Sequence, residues 1–347
     1  MKSDTRTFGN LPDGREALLF TLTNDHNITV KITNYGAIIT EIGMPDKNGK
    51  TENIVCGFDK LDQYLSKEYL GSYPYFGAII GRCGNRIANG HLEIDGLNYE
   101  MAINNGPNHL HGGLTGFDKR LWDAGPLQTP EYVGVKLSYL SPHMEENYPG
   151  NLKVTCIYTL NNNNELGIEY FAETDKTTVV NLTNHTYFNL TGGKENILNH
   201  ELKLTATEMT EMVEQIPTGK IVAVKGTPFD FTEFKTFIRD MATLPTGYDD
   251  NFVLGNETGE MKFTGILRDP SSGRQVEIHT TQPGMQLYTG YWNPELLIDG
   301  VKKFGSYSGV ALETQHYPDS VHHDHFPSVL LKPGEQYHQK TIYKFGF

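Results

Sequence analysis

Several short stretches of this sequence carry side chains able to move protons or grip a polar ligand. NLTNHTYFNL, residues 181–190, reads as a strand. On an extended chain its alternate residues separate. Leu182, Asn184, Thr186, Phe188 and Leu190 share one face; Asn181, Thr183, His185, Tyr187 and Asn189 share the other. The second face sets a titratable imidazole among hydrogen-bonding groups and an aromatic ring, not among the Lys and Glu of a solvated strand. That mixture suits a wet concave cavity. The bland alternative is a histidine satisfied at an ordinary polar sheet surface. GVALETQHYPDS, residues 309–320, places Glu313 after the apolar run Val310, Ala311, Leu312. A buried carboxylate is costly unless it has a partner or a function, so Glu313 is either salt-bridged to an arginine or chemically active.

Other segments could complete a site. In NNGPNHLHGG, residues 104–113, His109 and His111 are two apart and on an extended segment point the same way. Gly112 and Gly113 then predict a sharp turn with close backbone approach. A cupin-type metal site would need a glutamate a few residues on; none is there, so metal is disfavoured. GRCGNRIANG, residues 81–90, holds Arg82 and Arg86 but matches neither phosphate-loop pattern. Its arginines are either solvated turn residues or a guanidinium fork for hydroxyls or an acid. GYDDN, residues 247–251, offers Asp249 and Asp250, as an Asx-type turn or as acceptors for ligand hydroxyls. VHHDHFP, residues 321–327, is dense in histidine but lacks zinc-finger or metallohydrolase spacing, and it reads as a surface loop.

The elements that must position these groups are strands. NITVKITNYGAIITEIGMP and VKLSYL alternate, and LKVTCIYTL and LGIEYFAET flank the turn-like NNNNE as a hairpin. QVEIHTT, MQLYTGYW and GVALETQHY are further strands. LDQYLSKEYL and TEFKTFIRDM are the helix candidates. The 36 Gly and 17 Pro are spread over many turns, with no linker and no repeat. The expectation is an all-β chain, antiparallel strands in stacked or curled sheets with few short helices, forming one domain over residues 1–347.

Bulk properties narrow the partners. With 29 Lys+Arg against 42 Asp+Glu, net charge is −13, and no basic run is present. Nucleic acid and anionic membrane surfaces are therefore poor partners. Cys56, Cys83 and Cys156 are odd in number and show no C-x-x-C spacing, which predicts a reduced, cytoplasmic protein without disulfides or a thiolate zinc site. The start, MKSDTRTFGNLPDG, has no apolar signal core, and no run approaches the ~20 apolar residues of a membrane span. The sequons at Asn27, Asn181, Asn184, Asn189 and Asn256 are then inert as glycan acceptors, and these asparagines need another explanation.

Taken together, NLTNHTYFNL, GRCGNRIANG, NHLHGGLTGFDKRLW, IPTGKIVAVKGTPFDF, GYDDNFVL, TTQPGMQLYTG and LETQHYPDSV…FPSVLLKPGEQY give a chain that resembles the aldose 1-epimerase (galactose mutarotase) family over nearly its whole length. The resemblance implies a large antiparallel β supersandwich, without cofactor or metal, that interconverts the α and β anomers of aldohexoses such as galactose and glucose. It implies Glu313 as general base, His185 as general acid and His111 as an assistant at the ring oxygen. It implies Arg86, Asn85, Asp249 and Gln286 as sugar contacts. Asp250 departs from the family's usual histidine, which puts a second carboxylate near the sugar and leaves the preferred aldose open. Cys83 and Gly84 stand where small apolar residues are common, and His109 has no assigned role. Anomer exchange needs a base and an acid on opposite sides of the hemiacetal. The expectation is that burial raises Glu313 while a polar neighbour keeps His185 protonated. The alternatives are a hexose-6-phosphate epimerase, which would need extra basic residues, and a non-catalytic sugar-binding protein, which could dispense with Glu313 or His185. A monomer or weak homodimer is expected.

Overall fold

A computed structural model of the chain describes residues 1–255, 258–298 and 300–347; the Asn256 sequon lies outside the described residues. Antiparallel pairing dominates. A nine-stranded sheet runs in the order Asp123–Gln128, Tyr132–Ser141, Leu152–Asn161, Glu165–Thr174, Tyr337–Gly346, Gln275–Thr280, Lys262–Arg268, Glu201–Leu204, Lys235–Thr236. A six-stranded sheet runs Tyr187–Phe188, Val310–Gln315, Gly284–Tyr288, Asp249–Val253, Glu208–Val213, Ile216–Ala223, and a five-stranded sheet holds the first five strands.

Period-2 patterning builds the core. Along Leu152–Asn161, Leu152, Val154, Cys156, Tyr158 and Leu160 are fully buried while the residues between them are not. These side chains join Leu166, Ile168 and Tyr170 of the paired strand in one cluster with Met285, Leu287, Val310 and Leu312 of the six-stranded sheet. Each such side chain contributes roughly 1.5–3 kcal/mol when fully buried. The expected hairpin is present: Leu152–Asn161 pairs with Glu165–Thr174, and Asn161 Oδ1 accepts the N–H groups of Asn163 and Glu165 to close the Asn-rich turn. The helix candidates shrink to two short α-helices, Leu61–Tyr64 and Lys67–Ser72, and a 3₁₀ turn, Phe237–Asp240. No helix among the described residues is long and apolar enough to cross a membrane.

Two segments of this fold carry the polar groups of interest. In the strand Val310–Gln315 all six residues are buried. Val310 and Leu312 face the core, and Thr314 Oγ1 lies 2.6 Å from Thr341 Oγ1 of the nine-stranded sheet. Alternation sends Ala311, Glu313 and Gln315 to the opposite face, which is also covered. The second segment departs from its expected form. NLTNHTYFNL is not one strand. Thr183–Asn184 pairs with Ile79–Ile80, Tyr187–Phe188 pairs with Ala311 and Val310, and the ladder breaks at His185 and Thr186. The chain is crossing between sheets, so all ten residues are buried and neither face is solvated. Its asparagines supply the backbone partners this crossing needs. Asn184 donates to Gly77 O and accepts from Thr186 N–H; Asn189 donates to Glu195 O and Ser308 O; Asn181 exchanges hydrogen bonds with the backbone of His316.

Candidate active site

A cavity of about 440 Å³ opens on the covered face of the six-stranded sheet, and His111, His185, Glu313, Asn85, Arg86 and Asp249 all line it. Sheet register explains the convergence. Glu313 lies opposite Gln286, which lies opposite Asn251; one step along, Tyr288 lies opposite Asp249. Each row therefore delivers polar side chains from adjacent strands to one place.

At the floor, His185 Nε2 sits 3.5 Å from Glu313 Oε1, and both side chains are nearly inaccessible. His185 Nδ1 and Glu313 Oε2 have no hydrogen-bond partner among the described residues. The imidazole is walled by Tyr75, stacked at 5.8 Å, by Tyr187 at 4.8 Å and by the His111 ring at 5.2 Å. Burial raises Glu313 well above the usual carboxylate range; the nearby Asp249 carboxylate adds to this and Arg86 opposes it. Burial pushes His185 down to about 3, and the Glu313 carboxyl beside it does not keep it protonated as the sequence led one to expect. The two shifts agree on one point. Burial favours the uncharged form of each, so between them the pair holds a single titratable proton, on Glu313.

His111 comes from a strained turn. Its φ is 51°, and Gly112 and Gly113 follow at 82° and 106°. A Cβ on Gly112 would lie 1.9 Å from Gly81 O, so only glycine permits this approach. Asn85 holds the ring: its N–H donates to His111 Nδ1 (3.2 Å) and its carbonyl accepts the His111 N–H (3.0 Å). With Nδ1 occupied as acceptor, the neutral ring carries its hydrogen on Nε2. Burial, followed by the neighbouring His185, keeps it neutral.

Donor atoms of His111, His185 and Glu313 lie within 4.8 Å of one another, a spacing a metal ion could use. The donor set does not fit one. A metal-bound histidine donates from its far nitrogen to an acceptor. His111 does the reverse, accepting from Asn85, and so presents an N–H rather than a lone pair on its other nitrogen.

Away from this floor the polar groups are tied together. Arg86 donates to Asn105 Oδ1 (3.0 Å) and Gln215 Oε1 (2.9 Å), and its Nη2 lies 4.0 Å from Asp249 Oδ2. Asp249 Oδ1 accepts from Gln286 Nε2 (2.7 Å), and Asp249 Oδ2 accepts from Gln215 Nε2 (3.3 Å). Gln286 reaches the cavity through Asp249.

The family model described as Aldose 1-epimerase matches residues 18–344. The chain belongs to the aldose 1-epimerase family. It is 44% identical to galactose mutarotase of Bos taurus over 359 residues, covering 100% of this chain and 99% of that one. It is 33% identical to aldose 1-epimerase of Escherichia coli (strain K12), covering 96% of each. Among solved structures it is similar to galactose 1-epimerase from Lactobacillus acidophilus NCFM, with a TM-score of 0.85, 28% identity and 99% and 98% of the two chains covered. It is also similar to the GalM/aldose epimerase homologue from C. elegans, with a TM-score of 0.84, 31% identity and 94% and 98% coverage.

Within this aldose 1-epimerase family chain, all seven site residues read from the sequence come together, but several neighbours behave otherwise than expected. Asp250 does not join Asp249. It pairs with the core residue Leu287 on the other side of the strand, where burial pushes it up to about 7. His109 does not point with His111: its ring bridges Ala102 O and Tyr148 Oη, both at 2.8 Å, and is fully buried. Arg82 is neither solvated nor a ligand fork. It is 1% exposed and donates to Ser141 Oγ and to the carbonyls of Ser141, Pro142 and Pro149. The histidine-rich 321–327 segment is a surface loop whose His322, His323 and His325 are each engaged with Asp319 or with backbone carbonyls. Sequence reasoning missed Tyr75, Asn105, Gln215, Tyr288 and Trp292, which also line the cavity. Asn105 lies within NNGPNHLHGG, and Tyr288 and Trp292 lie within MQLYTGYW, segments singled out for other residues; Gln215 falls just before IPTGKI, and Tyr75 lies in none of them.

Proposed function

We propose that the chain interconverts the α and β anomers of aldohexoses such as galactose and glucose by acid–base ring opening and reclosure. The observation that carries this is the buried His185–Glu313 pair, 3.5 Å apart at the floor of the cavity. Glu313 takes the proton from the C1 hydroxyl as His185 gives one to the ring oxygen. The C1–O5 bond breaks, leaving the open aldehyde with a protonated carboxyl and a neutral imidazole. That is also the state burial favours in the empty cavity, so each turnover must begin with a proton moving from Glu313 to His185 across their 3.5 Å contact, giving the carboxylate and imidazolium that the step consumes. Rotation about C1–C2 exposes the other carbonyl face, and closure returns both protons. His111 Nε2–H supplies a donor to the ring oxygen, with Asn85 fixing its tautomer. Arg86 and Asp249 hold hydroxyls that do not react, with Gln286 fixing the Asp249 carboxylate rather than touching the sugar itself, which is orientation work.

Among the described residues, Arg86 is the only lysine or arginine lining the cavity, and it is already committed to Asn105, Gln215 and Asp249. This speaks against a phosphorylated hexose. A retained acid–base pair speaks against a non-catalytic binder. We read residues 1–347 as one domain, acting as a monomer or weak homodimer. Three free, buried cysteines and the burial of three sequon asparagines, Asn181, Asn184 and Asn189, support a cytoplasmic setting. Polarimetry tests the reading: the chain should speed the decay of rotation of fresh α-D-galactose or α-D-glucose over buffer. No acceleration with either sugar would reject it.

A further inference from the structure

The histidine-rich loop is not absorbed by this reading, yet it touches both sides of the cavity mouth. At one end the Asp319 N–H donates to Arg86 O (3.0 Å), and Asp319 Oδ1 accepts from the Ala88 N–H (2.9 Å). His322 Nδ1 lies 2.7 Å from the same Oδ1. At the other end His323 Nε2 lies 3.2 Å from Pro217 O, and His325 Nε2 lies 2.6 Å from Gly219 O. A carbonyl only accepts, so both rings donate from Nε2. They do so whether neutral or protonated. Gly219 is at φ 90°, and a Cβ there would meet His323 Nδ1 at 3.0 Å. The loop thus joins the Arg86 segment to the hairpin of Glu208–Val213 and Ile216–Ala223.

Gln215 sits at the tip of that hairpin. Glu214 and Gln215 have φ of 49° and 67°, so the tip holds two consecutive left-handed residues, neither of them glycine. The Gln215 carboxamide lies between two charges. Its oxygen accepts from Arg86 Nη2, and its nitrogen donates to Asp249 Oδ2. Arg86 and Asp249 approach only to 4.0 Å. Without the interposed amide they are free to close into a direct ion pair, each satisfying the other instead of a ligand.

We propose that Gln215 is a positioning residue for the sugar, and that loop 319–325 is the clasp that keeps it between Arg86 and Asp249. This rests on the reading of the cavity as an aldose site. It concerns binding and not proton transfer, because Gln215 bonds to neither His185 nor Glu313. Saturation kinetics by polarimetry, direct binding of galactose and glucose by calorimetry, and thermal midpoints test it. Gln215→Ala should raise KM and Kd about tenfold, the loss of one charge-assisted hydrogen bond. It should leave kcat within about threefold and the midpoint unchanged. The His323→Ala/His325→Ala double variant should move KM the same way by a smaller factor. An unchanged KM and Kd in Gln215→Ala, a fall in kcat alone, or a lowered midpoint that accounts for the loss would overturn the proposal. If the wild type binds sugar without turning it over, the activity reading fails while the Kd comparison still decides this one. If it binds no sugar, both fail.

Discussion

The floor of the cavity and its mouth are built on opposite principles. At the floor, His185, Glu313 and His111 are desolvated, and two of their polar atoms, His185 Nδ1 and Glu313 Oε2, are left without a partner among the described residues. At the mouth, Arg86, Asn105, Gln215 and Asp249 bond to one another, and the buried Gln286 backs Asp249. Groups that must exchange protons are kept unsatisfied, where burial moves their proton affinities furthest. Groups that must hold still are tied down, where their cost of ordering is met before a ligand arrives. On the proposed mechanism, the difference puts rate at the floor and affinity at the mouth.

The largest effect should come from breaking the floor. Glu313→Gln and His185→Asn should each lower kcat about 10²–10⁴-fold, the usual worth of a positioned proton transfer. Because the pair holds one shared proton, the double variant should lose little more than the worse single one. Additive losses in single-turnover polarimetry would show that the two act separately.

Acid should break the floor without mutation. His185 is depressed to about 3, and His200 and His316 to about 4, all by burial. Groups held below their ordinary value of about 6.5 contribute stability that is present above that pH and is lost as pH falls toward 4 and then 3. Each is worth on the order of 3 kcal/mol once fully charged in the unfolded chain. Thermal midpoints measured from pH 7 to pH 4 should therefore fall steadily, and His200→Gln should flatten the slope. Because the raised carboxyls of Glu313 and Asp250 act in the opposite sense, the deciding result is the difference: a slope unchanged by His200→Gln would contradict the neutral burial of that ring.

At the mouth, Asp249→Asn should raise KM about 10- to 30-fold with a smaller change in kcat, since it weakens bonds to Gln286, Gln215 and Arg86 together. A kcat loss as large as that of Glu313→Gln would erase the division between floor and mouth.

The smallest effect sharpens the contrast from outside the cavity. Asp250 is raised to about 7, so it contributes stability below about pH 4 that is lost as pH rises through 7. Asp250→Asn should stabilise the fold by on the order of 1–2 kcal/mol at pH 8 and by much less at pH 5. Urea titrations at the two pH values would show it, with KM unchanged at either.

Much of the floor was legible because its signals are local. Glu313 betrays itself by following three apolar residues, and the hairpin around the four asparagines follows from alternation and turn chemistry. The parts that were not legible depend on backbone angles or on distant partners. Whether His109 and His111 point together turns on one left-handed φ at His111. His185 lies where a predicted strand breaks to change sheets, which no ten-residue pattern shows. Arg82 looks like a ligand residue until the carbonyls of Ser141, Pro142 and Pro149 are brought to it. Gln215 meets Arg86 across 129 positions of chain, and nothing in its neighbourhood announces the meeting. Asp250 is different. Its alternation with Asp249 was available in the sequence, and the strand simply obeys it.

The strand Val310–Gln315, covered on both sides, carries a consequence for how this chain can vary in length. Losing or gaining one residue within it would turn Glu313 into the hydrocarbon interior and present Leu312 or Thr314 to the sugar. No solvent-facing side exists onto which the error could be displaced. Insertions and deletions compatible with activity should therefore collect in the connecting turns, and the spacing between Val310 and Gln315 should be as fixed as the identity of Glu313 itself.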